Sequence, residues 1–299
     1  MKQMRLLLTA ALTCLPLTAL AQQKSAVAPQ PVSIAGAITH VYKSINGAEL
    51  RLHVFSPAEH VSSMKRPAIL FFFGARAWTT GNVEQFVPQS KQLTERGMVA
   101  IVVDYRVFDR HGTSPFEAMA DAKSAIRWVR SRASELGIDS DRIAASGGSS
   151  GGHMALSAAV FAKFDEPQED HGISSKPNAL VLFNPAVDTS MSEAFRARTP
   201  GREKEGSPIH HLGRNLPPTV IFHGKADTTV PYADVEKFCT MARDLGSRCE
   251  LFGYEGAGHG FFNAQNEGGK WYSETLLEAD RFLTAIGFLP KSPTARTPD

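Results

Sequence analysis

Apolar residues along this chain fall into short unbroken runs separated by stretches of helical periodicity. The runs lie at residues 68–73, 99–103, 142–145, 179–183, 219–222 and 250–254. Between them, apolar positions recur every three or four residues at 86–95, 115–136, 152–164, 232–245 and 271–286. An unbroken run marks a strand covered on both faces, because alternation arises only when one face meets water. Two earlier segments, 38–44 and 49–55, read as a hairpin, with Ile45-Asn46-Gly47 supplying a turn that tolerates positive φ. The pattern therefore predicts an α/β fold, a mostly parallel sheet that opens with an antiparallel pair.

The ends of the chain read differently. Lys2 and Arg5, an apolar stretch from Leu6 to Leu20 broken by Pro16, and Ala19-Leu20-Ala21 before Gln22 have the layout of a secretory signal. The stretch is too short for a membrane anchor, so cleavage after Ala21 and export to the periplasm or the medium are expected. Residues 22–36, polar with Pro29 and Pro31, form a flexible lead-in, residues 37–290 a single domain, and 291–299 a tail. Removal of the leader leaves Cys239 and Cys249, an even pair that can close a disulfide between a helix and the next strand in an oxidising compartment.

Composition narrows the function classes. With 42% apolar and 21% charged residues, the 299-residue chain is neither disordered nor multiply membrane-spanning. The leader carries two of the 32 basic residues and no acidic one, so the remainder holds 30 charges of each sign. A neutral chain has no global field to draw it to nucleic acid or an anionic membrane. No metal-ligand spacing and no cofactor motif occurs; His210 and His211 have no carboxylate or cysteine at ligand spacing.

The chemistry concentrates in three loops. Gly147-Gly148-Ser149-Ser150-Gly151-Gly152-His153 follows a strand and opens a helix. Gly147-x-Ser149-x-Gly151 fits a nucleophile elbow, whose glycines permit a turn too tight for a Cβ, but Gly148-x-Ser150-x-Gly152 fits equally. Asp227 lies in His223-Gly224-Lys225-Ala226-Asp227, past the run at 219–222, and His259 in Gly256-Ala257-Gly258-His259-Gly260-Phe261, past the run at 250–254. The order serine, Asp227, His259 is that of a nucleophile, an orienting acid and a general base at one edge of a sheet.

These segments, together with Phe71-Phe72-Phe73-Gly74, Asp104-Tyr105-Arg106 and Asp121-Ala122-Lys123-Ser124-Ala125-Ile126-Arg127-Trp128, resemble the α/β-hydrolase superfamily. Within it the match is to the secreted esterases and the acetylxylan or feruloyl esterase-like group, neighbours of the prolyl oligopeptidase-type hydrolases. The resemblance implies an α/β-hydrolase fold with about eight strands, helices on both faces and no large lid. It selects Ser149 as nucleophile, with Ser150 in the position relatives fill with alanine, and Asp227 and His259 as its partners; Asp188 is a rival acid. Oxyanion donors are expected from the backbone N–H groups of Gly74, Ala75 and Ser150. Here the chain departs from its relatives, carrying Gly74-Ala75-Arg76-Ala77-Trp78 where many read H-G-G-G-W.

The resemblance implies a serine carboxylesterase, with a serine exopeptidase or amidase and a non-catalytic binding protein as alternatives. The segment 189–216 is polar and has no long apolar face, which favours short acyl esters, on carbohydrate or aromatic alcohols, over lipid surfaces. Bland roles are expected elsewhere: Asp104, Tyr105 and Arg106 brace the sheet, Asp121, Arg127 and Trp128 pack a helix, His153 is structural, Arg76 is solvated, and Trp78 belongs to core or cleft.

Overall fold

A computed structural model describes residues 28–291; the leader, the start of the lead-in and the tail beyond 291 lie outside the described residues. Eight strands form one sheet in the order β1-β2-β4-β3-β5-β6-β7-β8. They are β1 (Ile38–Ile45), β2 (Ala48–Phe55), β3 (Arg66–Phe72), β4 (Val99–Val103), β5 (Ile138–Gly148), β6 (Ala179–Phe183), β7 (Thr219–Gly224) and β8 (Cys249–Tyr254). Asn46 and Gly47, at φ +49° and +77°, turn β1 into β2. β2 is antiparallel to both β1 and β4, and every pairing from β4 through β8 is parallel. The runs Ala68–Phe72, Val99–Val103, Ala179–Phe183 and Thr219–Phe222 are buried throughout, whereas the edge strand β8 is only partly covered.

Helices cover both faces. α1 (Val87–Glu95) and α7 (Lys270–Ala285) lie on one side, where Arg96, just past α1, pairs with Asp280 of α7. α3 (Pro115–Ser131) and α4 (Ser150–Val160) pack together on the other, α6 (Tyr232–Asp244) packs on β7 and β8, and α2 (Phe108–His111) is a single turn. The start of α3 is written locally: Pro115 opens it, Ser114 Oγ caps the Phe116 N–H, and Glu117 accepts the Ser114 N–H at 2.9 Å. The ends of α3 and α4 fall short of the periodic pattern. Residues 132–136 continue as turns, closed by Ile138 N–H to Ala133 O at 2.7 Å. α4 stops when Phe161 turns extended, and Lys123 of α3 caps the Phe161 and Lys163 carbonyls at 3.1 and 2.9 Å.

The segment between β6 and β7 holds only the single turn α5 (Glu193–Arg196) and a 3₁₀ turn, Pro208–His211. Phe195 of α5 is fully buried, with its ring 5.0 Å from Trp78 and 5.8 Å from His153. One aromatic anchor thus pins a polar segment to the core. Cys239 of α6 and Cys249 of β8 are disulfide-bonded, with Cα atoms 5.5 Å apart. Asp121 is wholly buried and is held by Arg106 through two 2.8 Å bonds and by Lys43 at 2.8 Å, while Tyr105 donates to Phe73 O at 2.6 Å. These contacts tie α3 and the end of β4 to the sheet.

Candidate active site

Ser149 stands between the end of β5 and the start of α4 at φ +54°, ψ −120°, an unfavourable conformation for a residue with a side chain. Such a backbone costs about 1–3 kcal/mol and persists only where its surroundings enforce it. Here they do. The Ser149 N–H donates to Phe183 O at 3.0 Å, and its carbonyl accepts from His153 and Ala186. A Cβ on Gly151 would lie 2.1 Å from Phe72 O, and one on Gly147 2.5 Å from the Gly151 backbone. Only glycine lets β5, the turn and α4 approach so closely, and the result is a serine side chain raised at the carboxyl edge of the sheet.

The loops after β7 and β8 meet it there. His259 Nε2 lies 3.0 Å from Ser149 Oγ, and Nδ1 lies 2.8 Å from Asp227 Oδ2. The other Asp227 oxygen accepts from the Thr229 and Val230 amides at 2.8 and 3.0 Å. Burial alone would raise this carboxyl, but the His259 bond and the two amides hold it below the usual carboxylate range. An ionised Asp227 accepts the Nδ1 proton, which leaves the Nε2 lone pair facing the serine hydroxyl. His223 supports the acid from beneath, donating from Nε2 to Val230 O at 2.9 Å with Asp227 Oδ2 at 3.4 Å; burial lowers its basicity.

Asp188, the rival acid, is engaged elsewhere. It accepts from the Ser190 N–H at 2.8 Å and Ser207 Oγ at 3.0 Å, with His210 at 3.9 Å. His211 points to Lys204 O. His153 is fully buried, donates to Gly206 O at 2.7 Å and accepts from Trp78 Nε1 at 3.1 Å. Trp78 is accordingly both core and cleft wall, and Arg76 is exposed.

Two of the three expected oxyanion donors are already taken. The Gly74 N–H donates to Gln85 Oε1 at 2.6 Å, and the Ala75 N–H to Ser150 Oγ at 2.6 Å. Ser150 Oγ in turn donates to Ala75 O at 2.7 Å, so one hydroxyl closes both polar groups of Ala75. The Ser150 N–H sits in the first turn of α4, beyond the reach of any intrahelical carbonyl. On the facing loop the Arg76 N–H goes to Thr80 O, while the Ala77 N–H makes no hydrogen bond within the described residues. Ala77 and Trp78 hold φ of +48° and +60°.

A cleft of about 430 Å³ opens beside Ser149, walled by Ala77, Trp78, Ala186, Met191 and Val230. A larger groove of about 1050 Å³ between α1 and α7 contains none of these residues. Sequence reasoning missed two side chains at the site. Gln85 bridges Gly74 to Asn263, which bonds Gly260 O beside His259. Asn184 lies against the His259 ring. Gln85 carries no local signal, whereas Asn184 follows a predicted strand and precedes Pro185, a position at the sheet edge. Among the described residues no group of three or more potential metal ligands occurs.

Comparison with known proteins fits this geometry. Esterase 2 of Thermogutta terrifontis in its apo form is 45% identical and superposes with a TM-score of 0.84, over 86% of this chain and 97% of that one. The same protein is known with butyrate bound (44% identity, TM-score 0.83, 86% and 97% of the two chains) and phosphorylated by paraoxon. A probable carboxylic ester hydrolase of Mycobacterium tuberculosis, LipM, is 29% identical over 65% of this chain and 51% of its own length. The chain thus spans about half the length of the curated relatives it matches. The BD-FAE family model matches residues 52–241, a span from β2 into α6 that includes Ser149 and Asp227, and the chain belongs to that family, on an α/β-hydrolase fold.

Proposed function

We propose that this protein is an exported serine carboxylesterase that cleaves short-chain acyl esters through an acyl-enzyme on Ser149. The observation that carries the reading is the unbroken relay from Ser149 through His259 to Asp227, opening on a cleft of about 430 Å³. His259 takes the Ser149 proton as Oγ attacks the ester carbonyl, and Asp227 stabilises the imidazolium. We assign the oxyanion to the N–H groups of Ser150 and Ala77, both cleft-lining residues beside Ser149. His259 then protonates the leaving alcohol, activates a water, and the acid departs with Ser149 restored.

The small apolar wall supports a short acyl chain, as do the propionate and butyrate complexes of the Thermogutta relative. An acetyl or feruloyl ester of plant polysaccharide is the natural substrate class we favour. Export is supported by the leader pattern and by the Cys239–Cys249 bridge, which suits an oxidising compartment. Among the described residues no helix is long and apolar enough to cross a membrane.

The test pairs wild type with Ser149→Ala on p-nitrophenyl acetate, butyrate and octanoate, with a peptide p-nitroanilide alongside. Fast acetate and butyrate turnover, slow octanoate turnover and loss of all three in the variant are expected. Preferential cleavage of the anilide would instead support an amidase of the prolyl oligopeptidase type. No turnover, together with no labelling by a fluorophosphonate, would favour a binding protein.

A further inference from the structure

Ala77, an oxyanion donor in the esterase reading, sits in a loop whose shape its own residues do not favour. Ala77 and Trp78 hold φ of +48° and +60°, a backbone that costs about 1–3 kcal/mol at each residue with a side chain. Within the loop the Arg76 N–H reaches Thr80 O at 2.8 Å, Trp78 reaches Ala75 O at 2.9 Å and Thr79 reaches Arg76 O at 2.8 Å. These bonds shape the turn, but none of them fixes where it stands relative to Ser149.

Two segments hold the loop from outside. The turn α2 donates its first free amides, Phe108 N–H to Trp78 O at 3.2 Å and Asp109 N–H to Thr79 O at 3.0 Å. Arg110 Nη1 adds a bond to Gly81 O at 3.0 Å, with Nη2 on Asp104 Oδ1 at 3.3 Å. The second segment is the stretch ahead of β1. Gln30 Nε2 donates to Gly81 O at 3.1 Å, and Gln30 Oε1 accepts the Val83 N–H at 3.1 Å. One side-chain amide thus pairs with a carbonyl and an N–H two residues apart, as a neighbouring strand would. Buried Ile34, whose carbonyl accepts the Ala37 N–H at 3.0 Å, fastens this stretch to the body.

Gly81 is where the clamp reaches the site. A Cβ there would lie 2.4 Å from the Phe73 ring and 2.7 Å from Gly74 O, and one on Gly74 would lie 3.6 Å from Ser149 Cβ. The returning limb of the loop is therefore pressed onto the residue beside the nucleophile. An oxyanion donor acts only when aimed beforehand at the place where charge develops, and a displacement of about 1 Å can cost about 10²-fold in rate.

We propose that Gln30 is a positioning residue for this loop: its amide clamps Gly81 and Val83, and so keeps the Ala77 N–H aimed at the oxyanion formed on Ser149. The inference rests on the esterase reading and on Ala77 as a donor. Gln30 itself touches neither substrate nor reacting atoms.

Gln30→Met keeps the length of the side chain and removes both bonds. Rates on p-nitrophenyl acetate, expressed per serine titrated with paraoxon, exclude any unfolded chains. The variant is expected to lose about tenfold in kcat with little change in KM, the signature of an interaction made in the transition state. Its affinity for propyl trifluoromethyl ketone should weaken by a similar factor. Ser149 Oγ adds to the carbonyl carbon of that probe, His259 takes the serine proton, and the carbonyl oxygen becomes the oxyanion. An unchanged kcat per titrated serine, a loss carried wholly by KM, or undiminished affinity for the ketone would each overturn the proposal. Should Ser149→Ala retain activity, or the ketone fail to inhibit wild type, the esterase reading fails first, independently of Gln30.

Discussion

Trp78 donates its indole N–H to Nδ1 of His153 across 3.1 Å, joining residues 75 positions apart. His153 donates its own N–H to Gly206 O at 2.7 Å, so a single neutral imidazole ties the loop after β3, helix α4 and the segment between β6 and β7. Burial lowers His153 to about 4, which keeps it in this form at neutral pH. Replacing it by leucine strands a buried donor and a buried acceptor, so His153→Leu is expected to cost about 2–6 kcal/mol, at about 1–3 for each group left unpaired. Urea unfolding of both proteins checks this. Because Trp78 walls the cleft, KM should also rise.

Ser150→Ala removes the hydroxyl that bonds both the N–H and the carbonyl of Ala75. The expected result is a loss of about 2–6 kcal/mol in stability, at about 1–3 for each of the two polar groups of buried Ala75 that lose their partner. Activity should fall far less than in Ser149→Ala, because the Ser150 backbone N–H remains. Thermal melts and steady-state rates measured on one preparation separate the two effects.

The Cys239–Cys249 bridge spans ten positions between α6 and β8. Closing a loop of that length restricts the unfolded chain by about 2–3 kcal/mol. The double variant Cys239→Ala, Cys249→Ala is expected to lose that much unfolding free energy, read as a lower denaturant midpoint, while keeping its kcat/KM, since neither cysteine lines the cleft. A reducing agent should lower the wild-type midpoint and leave the variant unmoved.

Burial raises the Asp104 carboxyl to about 6, against the opposing pull of Arg110 and the Tyr105 N–H. In the unfolded chain the group titrates near about 4. Between those values the folded state keeps a proton that the unfolded state has released, so the contribution of Asp104 to stability is greatest below about pH 4 and is lost as pH rises through about 6. Asp104→Asn abolishes the titration. The melting temperature of the variant relative to wild type should therefore climb across this window and level off above it; a flat difference would contradict the assignment.

Several features were legible in the primary structure because they are local. Strand positions followed from apolar runs, the elbow from its glycines, and Ser149, Asp227 and His259 from their places just past three strand ends; the three side chains meet at 3.0 and 2.8 Å. Helix ends were less legible. α4 stops at Val160 because Lys123, from a different helix, caps the carbonyls beyond it.

The pattern along the chain by itself determined the α/β architecture and the loops that bring a serine, a histidine and an acid to one edge. Periodicity and turn chemistry are properties of neighbouring residues, and they act before any tertiary contact forms. Tertiary structure alone decided which polar groups remain open for chemistry. Gly74 is paired by Gln85 and Ala75 by Ser150, and Asn184 reaches His259 from 75 residues away. A hydrogen bond needs its partner within about 3 Å at a workable angle, and no spacing rule along one segment specifies where a distant side chain will stand.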